Sequence, residues 1–363
     1  MKTLSFLISL TVLLAVSMGS SPAAGVDWKA EWDQIVAAAK KEGTVVVAGG
    51  PGGIYRNAVM PFQKTYPDIK LEFSGMRGSA FGPKVLAERK AGQYLWDVHM
   101  AGTHSALTML KPNGVLDPVR PGLLLPEVLD DTKWIGGFEG GWVDLAGQYI
   151  FQAEGRLDFI FLVNRDLAPE SELNRVEQLV EPKWKGRIVA EDPRKGGKTM
   201  VDTAYLLMVK GEEWVRKLLA QDLVIMDNGR QRAEAVIKGR FPVGMGLSPT
   251  YLTSFQKAGV MGHTQQLAPD TPAGARQTNG FGNVMLINRA PHPNAAKVFI
   301  NWFLSRAGQK AHVEATTNNS RRLDVAGLAQ TALKPNVQYQ NLNLEKNGHY
   351  NDLLVKIAKE IIR

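Results

Sequence analysis

The sequence predicts an α/β fold built from two blocks of alternating strands and helices. Its length of 363 residues exceeds the roughly 250–300 residues at which a single core stops growing, so two domains are expected. Apolar, strand-like runs alternate with helix-like segments up to about residue 114 and again from about residue 186. This alternation is typical of βαβ units and a parallel sheet in each block.

The elements of the first block follow one another with little space between them. Helical periodicity that ends at a glycine predicts a helix at 28–43, and the β-branched run at 44–50 predicts the strand after it. The block continues with a helix at 54–67 that contains Pro61, a strand at 69–75, a helix at 79–92, a strand at 96–102 and a helix at 103–114.

The middle of the chain separates the blocks. Residues 115–141 are rich in Pro, Gly and Asp, and residues 147–167 read as two strands around Glu154 and Gly155. The second block has predicted strands at 186–192, 223–227 and 241–248, and helices from about Thr199 and Gln231. A polar segment follows at 269–279. After it the sequence predicts a strand at 281–289, an amphipathic helix at 293–313 and a C-terminal helix at 350–363.

The first 25 residues have the pattern of a secretory signal peptide. Lys2 precedes an uncharged apolar run at 4–18, and small residues follow it. A membrane anchor is the alternative, but the run is shorter than the roughly 20 residues that span a bilayer. The chain has no cysteine, which excludes disulfides, thiolate metal sites and a lipid-modified cysteine anchor. We therefore expect a mature protein that is not embedded in a membrane and lies in the periplasm.

The formal net charge is +8, with Lys2 in the predicted signal. Such a field favours an anionic ligand or an acidic partner, although a solvated basic surface is the simpler interpretation. Nucleic acid is not expected as a partner, because no basic run is interleaved with aromatic residues.

The stretch "GRIVAEDPRKGGKTMVDTAYLL" resembles a nucleotide-binding P-loop at first sight, because a strand leads through Gly-Gly-Lys-Thr into a helix. The P-loop pattern needs a glycine five positions before its last glycine, and Asp192 stands there instead. A Gly-rich basic turn at a helix N-terminus still favours a small anion.

Several segments resemble one protein family. "EGTVVVAGG", "FQKTYPDIKLEFSGMRGS", "EPKWKGRIVAEDPRKGG" and "INRAPHPNAAKVFINWFLSRAGQKA" are similar to the extracellular solute-binding proteins of ABC importers, in the ferric-iron-type branch. The resemblance implies a two-lobed type II periplasmic binding protein fold with a hinge and an interlobe ligand cleft. It also implies a monomer without catalytic activity, cofactor or resident metal, which delivers its solute to ABC permease subunits. The expected division is 26–118 with 272–318 for lobe 1, and 119–271 with 319–363 for lobe 2.

The resemblance does not decide the ligand. Ferric-binding members place two adjacent tyrosines after the strand that corresponds to 241–248, whereas this loop reads "SPTYLTSF" with Tyr251 alone. Those members often have an acid after the third strand, whereas this chain has Thr103 and His104. Iron(III) prefers phenolate and carboxylate oxygens. A small anion, namely an organic acid, a phosphonate or a sugar phosphate, is therefore the main hypothesis, and ferric ion is the alternative.

The candidate ligand-binding residues follow predicted strands, because ligands of open α/β sheets bind beyond the carboxyl ends of strands. They are Gly50, Gly52, Arg77, Ser79, Thr103, His104, Arg194, Gly197, Thr199, Asn228, Arg230, Tyr251 and Asn279. The arginines are expected to hold the anion, the glycines to allow close backbone approach, and the polar side chains either to bind ligand or to cap helices.

Two other functions remain as alternatives. An enzyme is less favoured, since the sequence has no Gly-x-Ser-x-Gly elbow, no His-Glu-x-x-His and no cysteine nucleophile. A ligand-sensing subunit for a receptor kinase would have the same fold and the same cleft, and would differ only in its partner.

Overall fold

The structure is a computed structural model that describes residues 28–195, 197–247, 249–316, 318–327, 331–333 and 339–362. The predicted signal peptide, 1–25, lies outside these residues. In the described part of the chain, no helix has the length and apolar character needed to cross a membrane.

The chain builds one α/β lobe, crosses to a second, returns to the first and ends on the second. The first part contains α1 (Trp28–Glu42), β1 (Thr44–Gly49), α2 (Gly53–Val59), α3 (Phe62–Thr65), β2 (Lys70–Gly75), α4 (Gly78–Lys90), β3 (Val98–Ala101), α5 (Thr103–Ser105), β4 (Leu116–Asp117), α6 (Pro126–Leu129) and β5 (Phe151–Gln152). The first crossing strand is β6 (Arg156–Phe159).

The second lobe contains β7 (Phe161–Asn164), β8 (Ile188–Ala190), α7 (Gly197–Lys210), α8 (Glu212–Leu219), β9 (Val224–Ile225), α9 (Gly229–Ile237), β10 (Val243–Met245), α10 (Pro249–Lys257) and β11 (Thr264–Gln266). The chain then returns through β12 (Ala275–Thr278), β13 (Asn283–Ile287), α11 (Pro293–Leu304) and α12 (Arg306–Thr316), and ends in α13 (His349–Ile361).

Each lobe has its own sheet and its own apolar core. The lobe 1 sheet has the order β2-β1-β3-β13-β4, with β5 also paired to β13, and the lobe 2 sheet has the order β11-β7-β10-β8-β9. In lobe 1, β1 pairs in parallel with β2 and β3, whereas β13 returns antiparallel to β3. In lobe 2, β8 pairs in parallel with β9 and β10. The central parallel strands β1, β3, β8 and β10 are largely buried, as helices on the sheet faces require, whereas the edge strands β2 and β9 are more exposed.

A two-stranded antiparallel ribbon of β6 and β12 joins the lobes, with Arg156 opposite Thr278 and Phe159 opposite Ala275. This ribbon is a hinge with two chain crossings, and it confirms the two-lobed α/β architecture. A third connection follows near the C-terminus. Glu345 pairs with Lys111 of lobe 1 at 2.6 Å, and α13 packs against α7 and α8 of lobe 2.

The expected lobe boundary at residue 118 differs from the packing. Val119, Trp134 and Phe151 are buried in the same apolar cluster as the lobe 1 sheet and α11, so the segment up to the first crossing belongs with lobe 1. Arg321 and Arg322 also belong there, because they donate to backbone carbonyls of that lobe. Composition marked 115–141 as a break, but its aromatic residues fill the core of lobe 1.

The observed elements differ from the predicted ones mainly where a pattern was short or interrupted. Residues 147–167 form three strands rather than two, because the chain bends at Ile160 where it enters lobe 2. The amphipathic stretch at 293–313 is two helices that meet at Ser305. The predicted helix at 103–114 is a short α-turn that continues as a π-helix over Ala106–Leu110. Helices α8 and α10 and strands β11 and β12 were not predicted.

Candidate functional site

The loops that follow β1, β2 and β3 converge at one edge of lobe 1, together with the turn before β13. Glycines make this convergence possible, since a Cβ at several of these positions would meet the neighbouring loop. A Cβ would lie 3.2 Å from the Gly50 carbonyl if added to Gly75, 3.0 Å from the Ser105 hydroxyl if added to Gly78, and 3.5 Å from the Gly280 carbonyl if added to Gly102. The structure thus brings the predicted lobe 1 residues to a common edge.

Gly50 and Gly52 have different roles at this edge. Gly50 is buried, and a Cβ there would lie 2.7 Å from the Tyr55 ring and 2.9 Å from the Phe281 ring. Its small size therefore serves packing between β1 and the second crossing. Gly52 is exposed with φ of 105°, has no atom within 4 Å of a Cβ position, and precedes α2. Its left-handed backbone is the reason that glycine is needed there.

Arg77 and Ser79 lie at the start of α4 and are both exposed. Arg77 occupies the N-cap position with an extended backbone, and its side chain makes no hydrogen bond to the cap. Within the described residues its guanidinium has no ion-pair partner. A free cation beside the exposed N–H groups of a 13-residue helix is a chemical environment for an anion.

Thr103 and His104 begin α5, directly after β3. Thr103 is 6% exposed and His104 is exposed. Of the two side chains, only His104 is therefore accessible to a solute without a rearrangement of the loop.

In lobe 2, the loops after β8, β9 and β10 also converge. A Cβ on Gly246 would collide with Thr199, and one on Gly229 would lie 2.5 Å from the Tyr251 ring. The buried Arg232 joins these loops, because its guanidinium donates to the carbonyls of Met226 and Gly246. Burial lowers the pKa of Arg232, and the neighbouring Glu191 opposes that shift. Arg232 was not predicted, and the four-residue spacing from Asn228 was the only signal that it belonged to this loop.

The N-terminus of α7, where the sequence predicts an anion site, already holds a carboxylate of the protein. The backbone N–H of Thr199 donates to Glu191 at 3.3 Å, and the backbone N–H of Glu191 donates to the Thr199 hydroxyl at 3.1 Å. A Cβ on Gly197, which has φ of 87°, would collide with the same carboxylate. Gly197 and Thr199 therefore accommodate Glu191, and Thr199 is fully buried.

Arg194 is paired rather than free. It grips Asp192 with two hydrogen bonds of 2.8 and 2.9 Å and donates at 3.0 Å to the carbonyl of Ile362, just after the C-terminal helix. The Arg194 hydrogen bonds hold the pKa of Asp192 at about 2. In this structure Arg194 fixes its own turn and the end of the chain, which is a different role from the predicted anion contact.

The loop before α9 combines a capping residue with a free cation. Asn228 is the N-cap of α9 and accepts from the backbone N–H groups of Arg230 and Gln231. Arg230 is exposed and lies over the Phe255 ring at 5.1 Å, with no ion pair to any other residue that the structure describes. Tyr251 is 40% exposed and lies in the first turn of α10, where the sequence predicted a loop. Arg230 and Tyr251 are thus the accessible predicted residues of lobe 2.

Asn279 faces the protein interior. It is 2% exposed and donates to the Asn283 side chain at 2.9 Å, and Asn283 donates in turn to the Ala101 carbonyl. The pair ties the second crossing to β3, so Asn279 supports the cleft from behind rather than lining it.

The structure thus has two lobes joined by one hinge, and each lobe carries a group of loops at one edge of its sheet. A family model described as bacterial extracellular solute-binding protein matches residues 57–337 of this chain. The chain belongs to the bacterial extracellular solute-binding proteins. No curated protein matches its sequence significantly.

Solved structures similar to the binding protein support the fold at low sequence identity. Iron-bound HitA from Pseudomonas aeruginosa is 17% identical with a TM-score of 0.65, over 88% of this chain and 99% of its own. A Trichodesmium protein (IdiA, FutA) in complex with iron and citrate is 18% identical with a TM-score of 0.68 and the same coverage. Ferric iron-binding protein A from Mannheimia haemolytica, in an open conformation, is 14% identical with a TM-score of 0.66, over 88% and 98%.

The binding protein has further polar residues at its hinge that sequence reasoning missed. Tyr55, in the first turn of α2, packs edge to face on Phe281 of the second crossing at 5.0 Å. Burial raises the pKa of the Tyr55 hydroxyl to about 12, and the charge of the nearby Glu154 adds to the rise. Arg156, in the first crossing, lies 3.6 Å from Glu154. The sequence signal for Glu154 and Arg156 was their spacing of two residues. The interpretation of 147–167 as two strands around Glu154 and Gly155 did not recognise it.

A second polar group lies on the lobe 2 side of the hinge. Asp158 and Asp202 share the cations of Lys198 and Arg276, with separations of 2.6–3.3 Å. Neighbouring cations lower the pKa of Asp158 and so oppose its burial. Lys198, a member of the predicted anion loop, is therefore committed to two carboxylates. This network fixes α7 to both crossing strands.

In the part of the chain that the structure describes, no hydrogen bond or ion pair joins the three lobe 1 loops to the three lobe 2 loops. The described residues also contain no group of three or more His, Asp or Glu side chains placed to hold a metal ion.

Proposed function

We propose that this binding protein works in the periplasm, where it captures a small anionic solute between its lobes and delivers it to the permease of an ABC importer. The observation that carries the proposal is the pair of exposed arginines on the two facing edges. Arg77 on lobe 1 and Arg230 on lobe 2 both stand at helix starts and form no ion pair with a described residue, although Glu234 lies near Arg230 on the same helix. An anion between them would be held by both lobes and would favour their closure.

The closure step follows from linkage. A ligand shifts the equilibrium between open and closed forms only by its different affinity for the two forms. An anion that meets Arg77 alone in the open form and both arginines in the closed form has that difference. Guanidinium groups suit carboxylate and phosphate oxygens, since they form paired hydrogen bonds with them. Organic acids, phosphonates and sugar phosphates are the proposed solute class.

Ferric ion, alone or with an organic anion, is the second candidate. Structural neighbours are described as iron-bound, and one of them binds iron together with citrate. Tyr251 is exposed at the start of α10, directly after the strand that tyrosines follow in the ferric-type branch. Against iron alone, the raised pKa of Tyr55 keeps this second phenol protonated, and phenolate is the form that binds iron(III).

A thermal-unfolding screen tests the proposal. The mature protein is heated with succinate, citrate, methylphosphonate, glucose 6-phosphate, and ferric ion with and without citrate. A solute that binds the folded state raises Tm by mass action. We expect an anion without iron to raise Tm. A rise that needs iron and brings a visible charge-transfer band would establish the ferric candidate instead.

A further inference from the structure

Three charged side chains stand at alternate positions of the first crossing. Arg156 and Asp158 lie on β6, where residues two apart share a face, and Glu154 lies just before β6 in an isolated β-bridge with Ser320. We call Glu154, Arg156 and Asp158 the hinge row. Glu154 contacts lobe 1 through His312 at 3.1 Å, and Asp158 contacts lobe 2 through Lys198 at 3.0 Å. Arg156 therefore stands midway between the lobes.

The hinge row faces the cleft. Its lobe 1 neighbour, Tyr55, lies in the first turn of α2, the helix that follows β1. Its lobe 2 neighbour, Lys198, lies in the first turn of α7, the helix that follows β8. Both helices begin where parallel strands end, and in such sheets those ends form the ligand crevice. Arg156 is thus at the back wall of the cleft.

Arg156 is the cation of the row, and its side chain makes no hydrogen bond to a described residue. Its Nε is buried without a hydrogen-bond partner among the described residues, and the nearest carboxylate oxygen, on Glu154, is at 3.6 Å. The side chain remains 20% exposed. Oε1 of Glu154 and Nδ1 of His312 are also buried without described partners. Buried polar groups without partners are costly, so this cluster is set up to gain hydrogen bonds.

We infer that Arg156 holds the anionic group of the solute at the back of the cleft, with the Tyr55 hydroxyl as a second donor. This inference rests on the proposed function and deepens it. Glu154 is the positioning residue in this inference, because its carboxylate lies 3.6 Å from Nε of Arg156 and the terminal nitrogens of Arg156 make no hydrogen bond to a described residue. The ligand chemistry is an oxyanion, either a carboxylate or a phosphoryl group.

The residue types explain why this seat suits an anion. A guanidinium presents two parallel N–H groups that match the two oxygens of a carboxylate or phosphate. Tyr55 keeps its proton, because burial and Glu154 raise its pKa to about 12. Its hydroxyl oxygen already has a hydrogen bond with the Asn318 side chain, and its own proton remains the donor for the solute. Arg77 and Arg230 would then meet the solute from the two lobes, while Arg156 meets it from the hinge and links its binding to the crossing strands.

Binding measurements on Arg156 variants test the inference. Succinate, inorganic phosphate and methylphosphonate are titrated separately into wild type, Arg156→Gln, Arg156→Lys and Tyr55→Phe, which distinguishes carboxylate from phosphoryl sources. For the anion that binds wild type, we expect Arg156→Gln to weaken binding about 10- to 100-fold, as loss of charged hydrogen bonds does. Tyr55→Phe should weaken it by about 2- to 10-fold.

The controls separate a binding role from a structural role. Arg240→Gln removes an exposed arginine of lobe 2 that lies over Phe241 and should bind like wild type. Arg156→Lys keeps a cation beside Glu154, and should fold and still bind more weakly than wild type. A structural role would lower Tm of the free protein and leave affinity unchanged.

The outcomes are distinct for the two proposals. Wild-type affinity in Arg156→Gln or Arg156→Lys, with loss in Arg77→Gln, would overturn the Arg156 assignment and leave the proposed function standing. Absence of any anion binding by the wild type would overturn both.

Discussion

The carboxylate of Glu191 interacts with the N-terminus of α7 in the way that a bound anion would. Its carboxylate accepts the N–H of Thr199, and the left-handed Gly197 leaves room for it. The predicted attraction of this helix start for negative charge is physically sound, but the charge belongs to the chain itself. A sequence pattern can therefore predict an anion-binding site, but it does not show whether a free anion or a carboxylate of the protein binds there.

Glu191→Ala should remove the carboxylate from the N-terminus of α7. We expect the free energy of unfolding to fall by about 0.5–2 kcal/mol, as for loss of a helix cap. Added sulfate should recover stability in this variant more than in wild type, because the helix start is then open to a free anion. Urea unfolding with and without sulfate measures both effects. Glu213→Ala, an exposed acid in the first turn of α8, is the control, and an equal sulfate response in the two variants would contradict the assignment.

His99 predicts a pH dependence of stability. It is fully buried, contacts the Ala48 carbonyl at 3.2 Å and stacks on Phe81 at 3.9 Å. Burial lowers its pKa from 6.5 to about 4. The unfolded chain therefore binds this proton first as pH falls, so the contribution is full above about pH 6.5 and is lost towards pH 4.

Urea unfolding at pH 7 and pH 4.5 checks the His99 prediction. His99→Asn keeps a donor for Ala48 and removes the titration, so the loss of stability between these pH values should shrink. The exposed His263→Asn is the control and should keep the wild-type loss. Equal losses in wild type and His99→Asn would mean that His99 does not carry the effect.

The arginines show how far residue type alone can predict a site. Arg77, Arg194 and Arg230 all stand in Gly-containing loops near helix starts, and the sequence treats them alike. Arg77 and Arg230 form no ion pair with a described residue, whereas Arg194 donates hydrogen bonds to Asp192 and to the backbone carbonyl of Ile362. Ile362 lies 168 residues later in the chain, and local sequence cannot indicate such a distant partner.

At the scale of elements, the hinge network is the feature on which both crossings depend. Arg276 on β12 bridges Asp158 on β6 and Asp202 on α7, and it is 6% exposed. Arg276→Met would leave two buried carboxylates with only Lys198 to balance them. Removal of one partner from a buried ion pair costs about 3–5 kcal/mol.

Chemical denaturation of Arg276→Met should show that loss in the free energy of unfolding. The matched control is Arg216→Met, which breaks ion pairs of a 39% exposed arginine with Glu212 and Glu360. Surface pairs contribute about 1 kcal/mol or less. A loss in Arg276→Met no larger than in the control would show that the network does not hold the hinge.

Long periodic elements were predictable because their pattern is local. The predicted helix at 28–43, the strand at 44–50 and the C-terminal helix match α1, β1 and α13 within two residues. Strands β11 and β12, of three and four residues, were not predicted, since their pairing partners and not their own sequence define them. The hinge row was missed for the same reason: its chemistry depends on which strand crosses between the lobes.

At the scale of the whole molecule, we propose that cations from both lobes and from the hinge line one cleft. The two lobes have separate cores, so they can move relative to each other about the β6–β12 ribbon. A solute anion that touches Arg77, Arg156 and Arg230 would connect all three parts. The proposed capture mechanism is this connection, since closure is favoured only by contacts that the open form lacks.

Isothermal titration of the anion found by the thermal screen, into wild type, Arg77→Gln and Arg230→Gln, tests this mechanism most directly. We expect each variant to bind at least about tenfold more weakly, because each loses a charged hydrogen bond to the solute. Tight binding of ferric ion without an anion, with the same affinity in wild type and both variants, would contradict it.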